Sequence, residues 1–271
     1  MILYFSATGN SKYVAEMMAD KLGDEAKSLT QDIKTFVKDG TGATFTSEKP
    51  FVFVFPVYLS TSPTVLRKFI LASSFSGNEN AYFVPTCASA DGSVPNSSID
   101  MLKKVPSLKY MGCQKVPMPQ NYVLLFSAFS EERKQEAYKN ADTLTDSICA
   151  TIKAGEMLPE KPCGGIEYWG TKLVEVWYNH DFTSTFHFHA SDECVGCGLC
   201  EKNCPVNAIA MKDGKPDWIK FKCIHCMTCI SRCPKQAIRF AKKSYQNGTP
   251  FHVCPAYRSG AKATAESENK E

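Results

Sequence analysis

Cys194-Val195-Gly196-Cys197-Gly198-Leu199-Cys200-Glu201-Lys202-Asn203-Cys204-Pro205 is answered, 29 positions later, by Cys223-Ile224-His225-Cys226-Met227-Thr228-Cys229-Ile230-Ser231-Arg232-Cys233-Pro234. Both runs read Cys-x-x-Cys-x-x-Cys-x-x-x-Cys-Pro, and together they take eight of the 13 cysteines. Three thiols at equal steps can converge on one small body if the backbone wraps tightly around it, while the fourth points away. The prolines fix φ after the last cysteine and end each run in an extended turn. Ala208-Ile209-Ala210-Met211 and Ala237-Ile238-Arg239-Phe240 extend the repeat beyond the cysteines.

This spacing is the ligand run of bacterial [4Fe–4S] ferredoxins. The doubled run resembles a two-cluster ferredoxin. That resemblance implies that the last cysteine of each run serves the other cluster. Cys194, Cys197, Cys200 and Cys233 then hold one cluster, and Cys204, Cys223, Cys226 and Cys229 the second. Gly196 and Gly198 let backbone amides approach cluster sulfur, one of the levers on reduction potential. Two alternatives stand beside this. Zinc knuckles use Cys-x-x-Cys pairs separated by a longer loop. A disulfide framework suits a secreted chain, and nothing here marks export. With every ligand place filled, His225 reads as exposed or as an outer neighbour of the cluster.

A chain of 271 residues is long for one such module, so a second domain is expected. The 44% hydrophobic and 22% charged content is that of an ordinary globular protein. Formal charge is +3, and two oxidised clusters at about −2 each offset it, which gives nucleic-acid binding no support. Met1–Phe5 is too short for a signal-peptide core and lacks a basic leader. No stretch approaches the roughly 18 apolar residues of a membrane span. Cluster cysteines must stay reduced until iron arrives, which points to the cytoplasm.

Residues 1–5 read as a buried strand, followed by Ser6-Ala7-Thr8-Gly9-Asn10-Ser11 and a helix carrying Val14, Met17, Met18 and Leu22 up to Gly23. Strand, hydroxyl- and glycine-rich turn, and helix make an anion-binding corner of free amides and hydroxyl donors. The turn has no Lys, so it is not a nucleotide P-loop, and uncharged donors suit a phosphate monoester. A capped helix start without a ligand is the plain alternative. Phe51-Val52-Phe53-Val54-Phe55 is a strand buried on both faces. Pro56-Val57-Tyr58-Leu59-Ser60-Thr61 ends it, and Ser62-Pro63 opens a helix with Val65, Leu66, Phe69 and Ile70. A strand over 81–85 leads to the polar loop 86–93. A helix over about 95–104, a strand within 108–118 and a helix from Ser130 with Ala141, Leu144, Ile148 and Ile152 follow. Alternation of this kind predicts a parallel sheet with helices on both faces. Ligands bind such sheets at the carboxyl ends of the strands, near the switch point. Residues 6–11, 56–61 and 86–93 fall there.

Ser6-x-Thr8-Gly9-Asn10-Ser11 after an N-terminal strand resembles the FMN-phosphate loop of flavodoxins, and the two later loops match those flanking the isoalloxazine ring. The resemblance implies an FMN held by Ser6, Thr8, Gly9, Asn10, Ser11, Pro56, Val57, Tyr58, Thr86, Cys87, Ala88 and Gly92. Tyr58 is either a ring-stacking residue or an ordinary loop tyrosine. The 86–93 loop departs from the flavodoxin pattern: Gly92 is its one glycine, and Cys87 reads as an inert small residue.

Pro159, Pro162, Gly164 and Gly165 mark a boundary. Beyond it Ile166, Trp169, Leu173, Val176 and Trp177 recur at helical spacing, as in a bridging helix packed on one or both domains. His180, His187 and His189 are loosely spaced and have no carboxylate pattern nearby, so they make only a weak metal claim. Cys254 lacks partners, Cys113, Cys149 and Cys163 read as buried or incidental, and the tail from about Ser259 reads as disordered. The expected organisation is a flavodoxin-like α/β domain over 1–155, a linker with a bridging helix over 156–190, a small α+β two-cluster ferredoxin over 191–240 and an extension over 241–271.

The whole chain resembles the flavodoxin–ferredoxin fusion proteins of anaerobic bacteria and archaea. It implies an electron-transfer protein that passes electrons between two [4Fe–4S] clusters and FMN, with other redox proteins as donor and acceptor. Two other readings are a flavin-dependent reductase of a small molecule and a ferredoxin carrying a flavin-free docking domain. No Gly-x-Gly-x-x-Gly follows a strand, which argues against a nicotinamide enzyme. Asp91 is the one acid near the three loops.

Overall fold

The computed structural model describes residues 1–124, 126, 129–177, 185, 187–219 and 223–240. The first half runs β1 (Ile2–Tyr4), α1 (Asn10–Leu22), β2 (Ala26–Ser28), α2 (Thr30–Asp39), β3 (Thr44–Ser47), β4 (Phe51–Pro56), α3 (Thr64–Ala72), β5 (Ser74–Gly77), β6 (Asn80–Cys87), α4 (Val94–Leu102), β7 (Lys109–Cys113), β8 (Val116–Pro117) and α5 (Glu131–Lys153). The second half runs α6 (Gly165–Trp177), β9 (Phe188–Ala190), α7 (Leu199–Asn203), β10 (Ile209–Lys212), β11 (Lys215–Trp218), α8 (Thr228–Ser231) and β12 (Ile238–Phe240). His180, Cys254 and the tail from about 259 lie outside the described residues.

β2-β1-β4-β6-β7 form a parallel sheet, with β8 pairing the far end of β6. Order reverses beside β1, the flavodoxin-like strand order of doubly wound sheets. The strand expected within 108–118 is thus two pieces, both against β6. Strand alternation sorts the core: Phe51, Phe53 and Phe55 face α2 and α3 in one apolar cluster, while Val52 and Val54 join Val14, Met18 and Ile148 in the other. All six residues of β4 are buried, as a strand covered on both faces requires. α5 starts on an extended Ser130 whose hydroxyl accepts from Arg133 N at 3.3 Å, with Glu131 and Glu132 in the first turn.

The cysteine-rich unit is built from two short antiparallel pairs, β9 with β12 and β10 with β11. It packs directly on the sheet domain. Ile33 and Leu29 share an apolar cluster with Val206, Ala208 and Ile209. Lys34 Nζ donates to the carbonyls of Glu201 at 3.1 Å and Lys202 at 3.0 Å, and Asn207 Nδ2 donates to Lys34 O at 2.9 Å. Those lysine bonds satisfy carbonyls at the end of α7.

The 166–177 segment forms its helix, but with the opposite face inward. Glu175 bonds Thr64 Oγ1 at 2.7 Å and pairs with Arg67, and Tyr168 OH donates to Asp100 Oδ2 at 2.5 Å. Ile166, Trp169, Leu173 and Val176 are therefore turned outward, 69–94% exposed. The expected packing of this stripe on the domains is corrected: polar anchors, not the apolar face, hold α6. The sheet domain also runs past 155. Leu158 N bonds Met111 O at 2.9 Å, and Tyr82 OH bonds Glu156 O at 3.1 Å.

Candidate functional site

The two cysteine runs fold alike. Positions 29 apart share left-handed φ: Gly196 and His225 at +68° and +49°, Gly198 and Met227 at +70° and +64°, Asn207 and Gln236 at +51° and +46°. Ala208 N donates to Cys204 Sγ at 3.2 Å, and its counterpart Ala237 N to Cys233 Sγ at 3.3 Å. His225 N adds a donor to Cys223 Sγ at 3.3 Å. Backbone donors of this kind favour thiolate over thiol.

Cys194, Cys197, Cys200 and Cys233 line one small cavity, and Cys204, Cys223, Cys226 and Cys229 line another. Each cavity takes three cysteines from one run and the last from the other. Among the described residues no three His, Cys, Asp or Glu side chains gather tightly enough for a single metal ion. Four cysteine sulfurs around each cavity match the ligand number of one [4Fe–4S] cluster. Burial pushes the Cys226 thiol up to about 11 and raises Cys223 and Cys229 as well. Such thiols stay protonated until a cation replaces the proton, so loading releases protons. The first set is nearer solvent: Cys197 is exposed, and Val195 beside it is 62% exposed.

The sheet domain supplies a third cavity, of about 460 Å³, at the carboxyl ends of the strands. That lies within the ~300–1,000 Å³ typical of small-molecule sites. Asn10, Pro56, Val57, Tyr58, Thr86, Cys87 and Ala88 line it. Ser6, Thr8, Gly9, Ser11 and Gly92 do not. Ser11 Oγ is 2.8 Å from Thr86 Oγ1 and ties two loops together. Gly92, at φ +57°, lies where a Cβ would come within 2.5 Å of Ser60; it lets the 86–93 loop close on the 56–61 turn.

Around the first loop the donors are uncharged. Gly9, at φ +108°, turns β1 into α1 and leaves the first-turn amides free for an anion. Asn121 Nδ2 donates to Thr8 Oγ1 at 2.5 Å, so the Thr8 hydroxyl proton points elsewhere. Asn10 Nδ2 donates to Pro119 O at 2.9 Å. Among the described residues, the buried atoms Ser6 Oγ and Asn10 Oδ1 have no partner. The Ser6 hydroxyl, buried beside a helix start, is free to donate to a phosphate oxygen, whereas Asn10 Oδ1 is an acceptor and suits a donor instead. Arg232 Nε also reaches Ala7 O at 3.3 Å, a cation brought to the loop from the cysteine-rich unit.

Sequence reasoning missed a fourth loop, Pro119–Tyr122, and the contribution of the second cysteine run: His225, Cys226 and Met227 line the same cavity. The first was open to discovery, because the loop after the fifth strand belongs to the ligand edge of such sheets. His225 is buried, not exposed, with Nδ1 3.1 Å from Tyr122 OH and its ring edge-on to Phe188 and Phe240. Tyr58 sits on a tight turn closed by reciprocal Tyr58–Thr61 backbone bonds of 2.9 and 3.1 Å. Burial pushes the Cys87 thiol up to about 11, as an inert thiol should be. Asp91 pairs with Lys115 at 3.4 Å. His187 packs edge-on to Phe240, and His189 is exposed.

Residues 193–238 match the family of 4Fe-4S dicluster domains. The carboxyl-terminal unit is a ferredoxin dicluster domain, and the sheet that precedes it is flavodoxin-like. Among solved structures, a flavodoxin from Streptococcus pneumoniae is 16% identical over 55% of this chain and 97% of its own, at a TM-score of 0.32. The Flv1 flavodiiron core from Synechocystis is 14% identical over 57% of this chain and 36% of its own, at 0.30. Those scores are low, and the flavodoxin-like description stands on strand order and parallel register.

No helix among the described residues is long and apolar enough to cross a membrane.

Proposed function

We propose that this chain is an electron-transfer protein that holds two [4Fe–4S] clusters and FMN and relays electrons among them. One observation carries it: the cavity at the ligand edge of the sheet is walled on one side by the loop of Cys226. Cys194, Cys197, Cys200 and Cys233 would hold the outer cluster, and Cys204, Cys223, Cys226 and Cys229 the inner one. Clusters pass single electrons and a bound flavin holds one or two, so together they couple one-electron carriers to two-electron chemistry.

The roles of the chain's own residues follow from their chemistry. Ser6 and Thr8 hydroxyls and the free amides after Gly9 hold the phosphate. Asn10 carries its amide between that loop and Pro119. Val57, Tyr58 and Ala88 bound the ring site and keep water from it. The exposed edge around Cys197 and Val195 is where another redox protein meets the outer cluster. Asp91 pairs with Lys115 and does not line this cavity, which favours a carrier over a reductase.

The test is anaerobic. Reduced ferredoxin from another source, added in excess of the electrons that the flavin and both clusters can take, should bleach the flavin of the wild-type protein quickly and that of Cys226→Ser far more slowly. Bleaching at the same rate in both proteins would remove the inner cluster from the route.

A further inference from the structure

The repeat makes an internal control, because the same backbone occurs twice. In the first run the two left-handed positions are Gly196 and Gly198, the residue type that takes positive φ at no steric cost. A Cβ on Gly196 would also stand 2.7 Å from Gly214 O, in the turn between β10 and β11. In the second run the equivalent positions carry His225 and Met227 at φ +49° and +64°. Side chains there are held in a conformation that L residues rarely adopt, and such outliers gather at ligand sites. Both side chains are 2% exposed, and both line the 460 Å³ cavity. The run that faces solvent keeps glycine; the run that faces the cavity carries side chains.

We infer that the second cysteine run doubles as a wall of the flavin site, with His225 and Met227 as binding residues for the isoalloxazine ring. This rests on the FMN reading above. The ring would enter a site half built by each unit, bounded by Tyr58 and Ala88 on the sheet side and by His225 and Met227 on the cluster side. Tyr122, 3.1 Å from His225 Nδ1, bridges the two. Met supplies a soft, polarisable surface for an aromatic ring and His a flat one. A purely structural role is the competing account, since His225 also packs on Phe188 and Met227 lies in a cluster with Leu124, Ile230 and Ile238.

Two measurements separate the accounts. Full-length protein with intact clusters is titrated anaerobically with FMN, comparing wild type with Met227→Gly and the double variant His225→Gly/Met227→Gly. The flavin-wall account expects the double variant to bind FMN at least about tenfold more weakly at unchanged iron content. Equal FMN affinity, within twofold, in a double variant that keeps its iron would overturn it. Should the glycine variants lose iron, hydrogen exchange on the wild type decides. FMN must slow the amides of the 223–229 segment and leave those of 194–200 unchanged. Equal effects on the two runs, or none on 223–229, overturn the inference. Failure of the wild type to bind FMN overturns both this and the proposal it rests on, whereas wild-type binding with indifferent variants sinks this one alone.

Discussion

The two cysteine runs share spacing, backbone and their Ala–Cys sulfur contacts, yet they face opposite surroundings. The set around Cys197 opens to solvent. The inner set lies between an apolar core of Phe188, Ile230 and Ile238 and the cavity at the edge of the sheet. Identical ligand chemistry can thus serve two tasks, an entry point and a junction, with surroundings deciding which. Burial is one of the levers on cluster potential, so two clusters with the same ligands will not be equivalent. The buried thiols also depend most on a metal: uncompensated charge there is costly, whereas Cys197 can be solvated.

Ways to break that contrast differ in size. Cys204→Ser should be the most damaging. Although it lies in the first run, it lines the inner cavity, so iron should fall from about eight to about four per chain with the Cys194 set spared. Iron and sulfide analysis with EPR of the reduced protein checks this; loss of the outer cluster instead would refute the crossed pairing. Next come the phosphate-loop hydroxyls. Ser6→Ala and Thr8→Val should each weaken FMN about 10–100-fold, the worth of a hydrogen bond to a charged group, and leave riboflavin binding unchanged. Fluorescence titration with both flavins reads the difference. Arg232→Gln should weaken FMN by only about threefold, because a partly solvated cation one bond removed from the loop is heavily screened. That effect should vanish at high salt. Smallest is Cys87→Ala. Burial holds this thiol neutral until pH nears about 11, so alkylation of Cys87 should be negligible at pH 7–9 and rise only above it, followed by peptide mass spectrometry.

Much of this was legible before any coordinates. Phe51–Phe55, apolar at every position, could only be a strand covered on both faces. The doubled run announced its repeat through eight cysteines and the Ala-Ile echo. Three of the four cavity loops followed from strand-end logic. What escaped was tertiary. β2, β3 and β5 are short and carry polar residues such as Lys27, Thr46 and Ser76, so no period-2 pattern marks them. His225 looked peripheral because ligand counting says nothing about which surface presses on the cluster loop. α6 shows the limit of pattern reading most plainly. Its apolar stripe has helical spacing, but Glu175 and Tyr168 on the other face find Arg67 and Asp100, and those anchors decide the orientation. The reach of Arg232 to Ala7, 225 positions away, has no local signal at all.

Cofactor stoichiometry of anaerobically purified protein tests the central claim most directly. Iron is measured colorimetrically, and flavin is released by acid and identified by chromatography. The account predicts about eight iron and one FMN per chain, with FMN retained through gel filtration. About eight iron and no FMN, even after incubation with excess flavin, would contradict it and leave a dicluster domain joined to a flavodoxin-like scaffold with no part in redox chemistry.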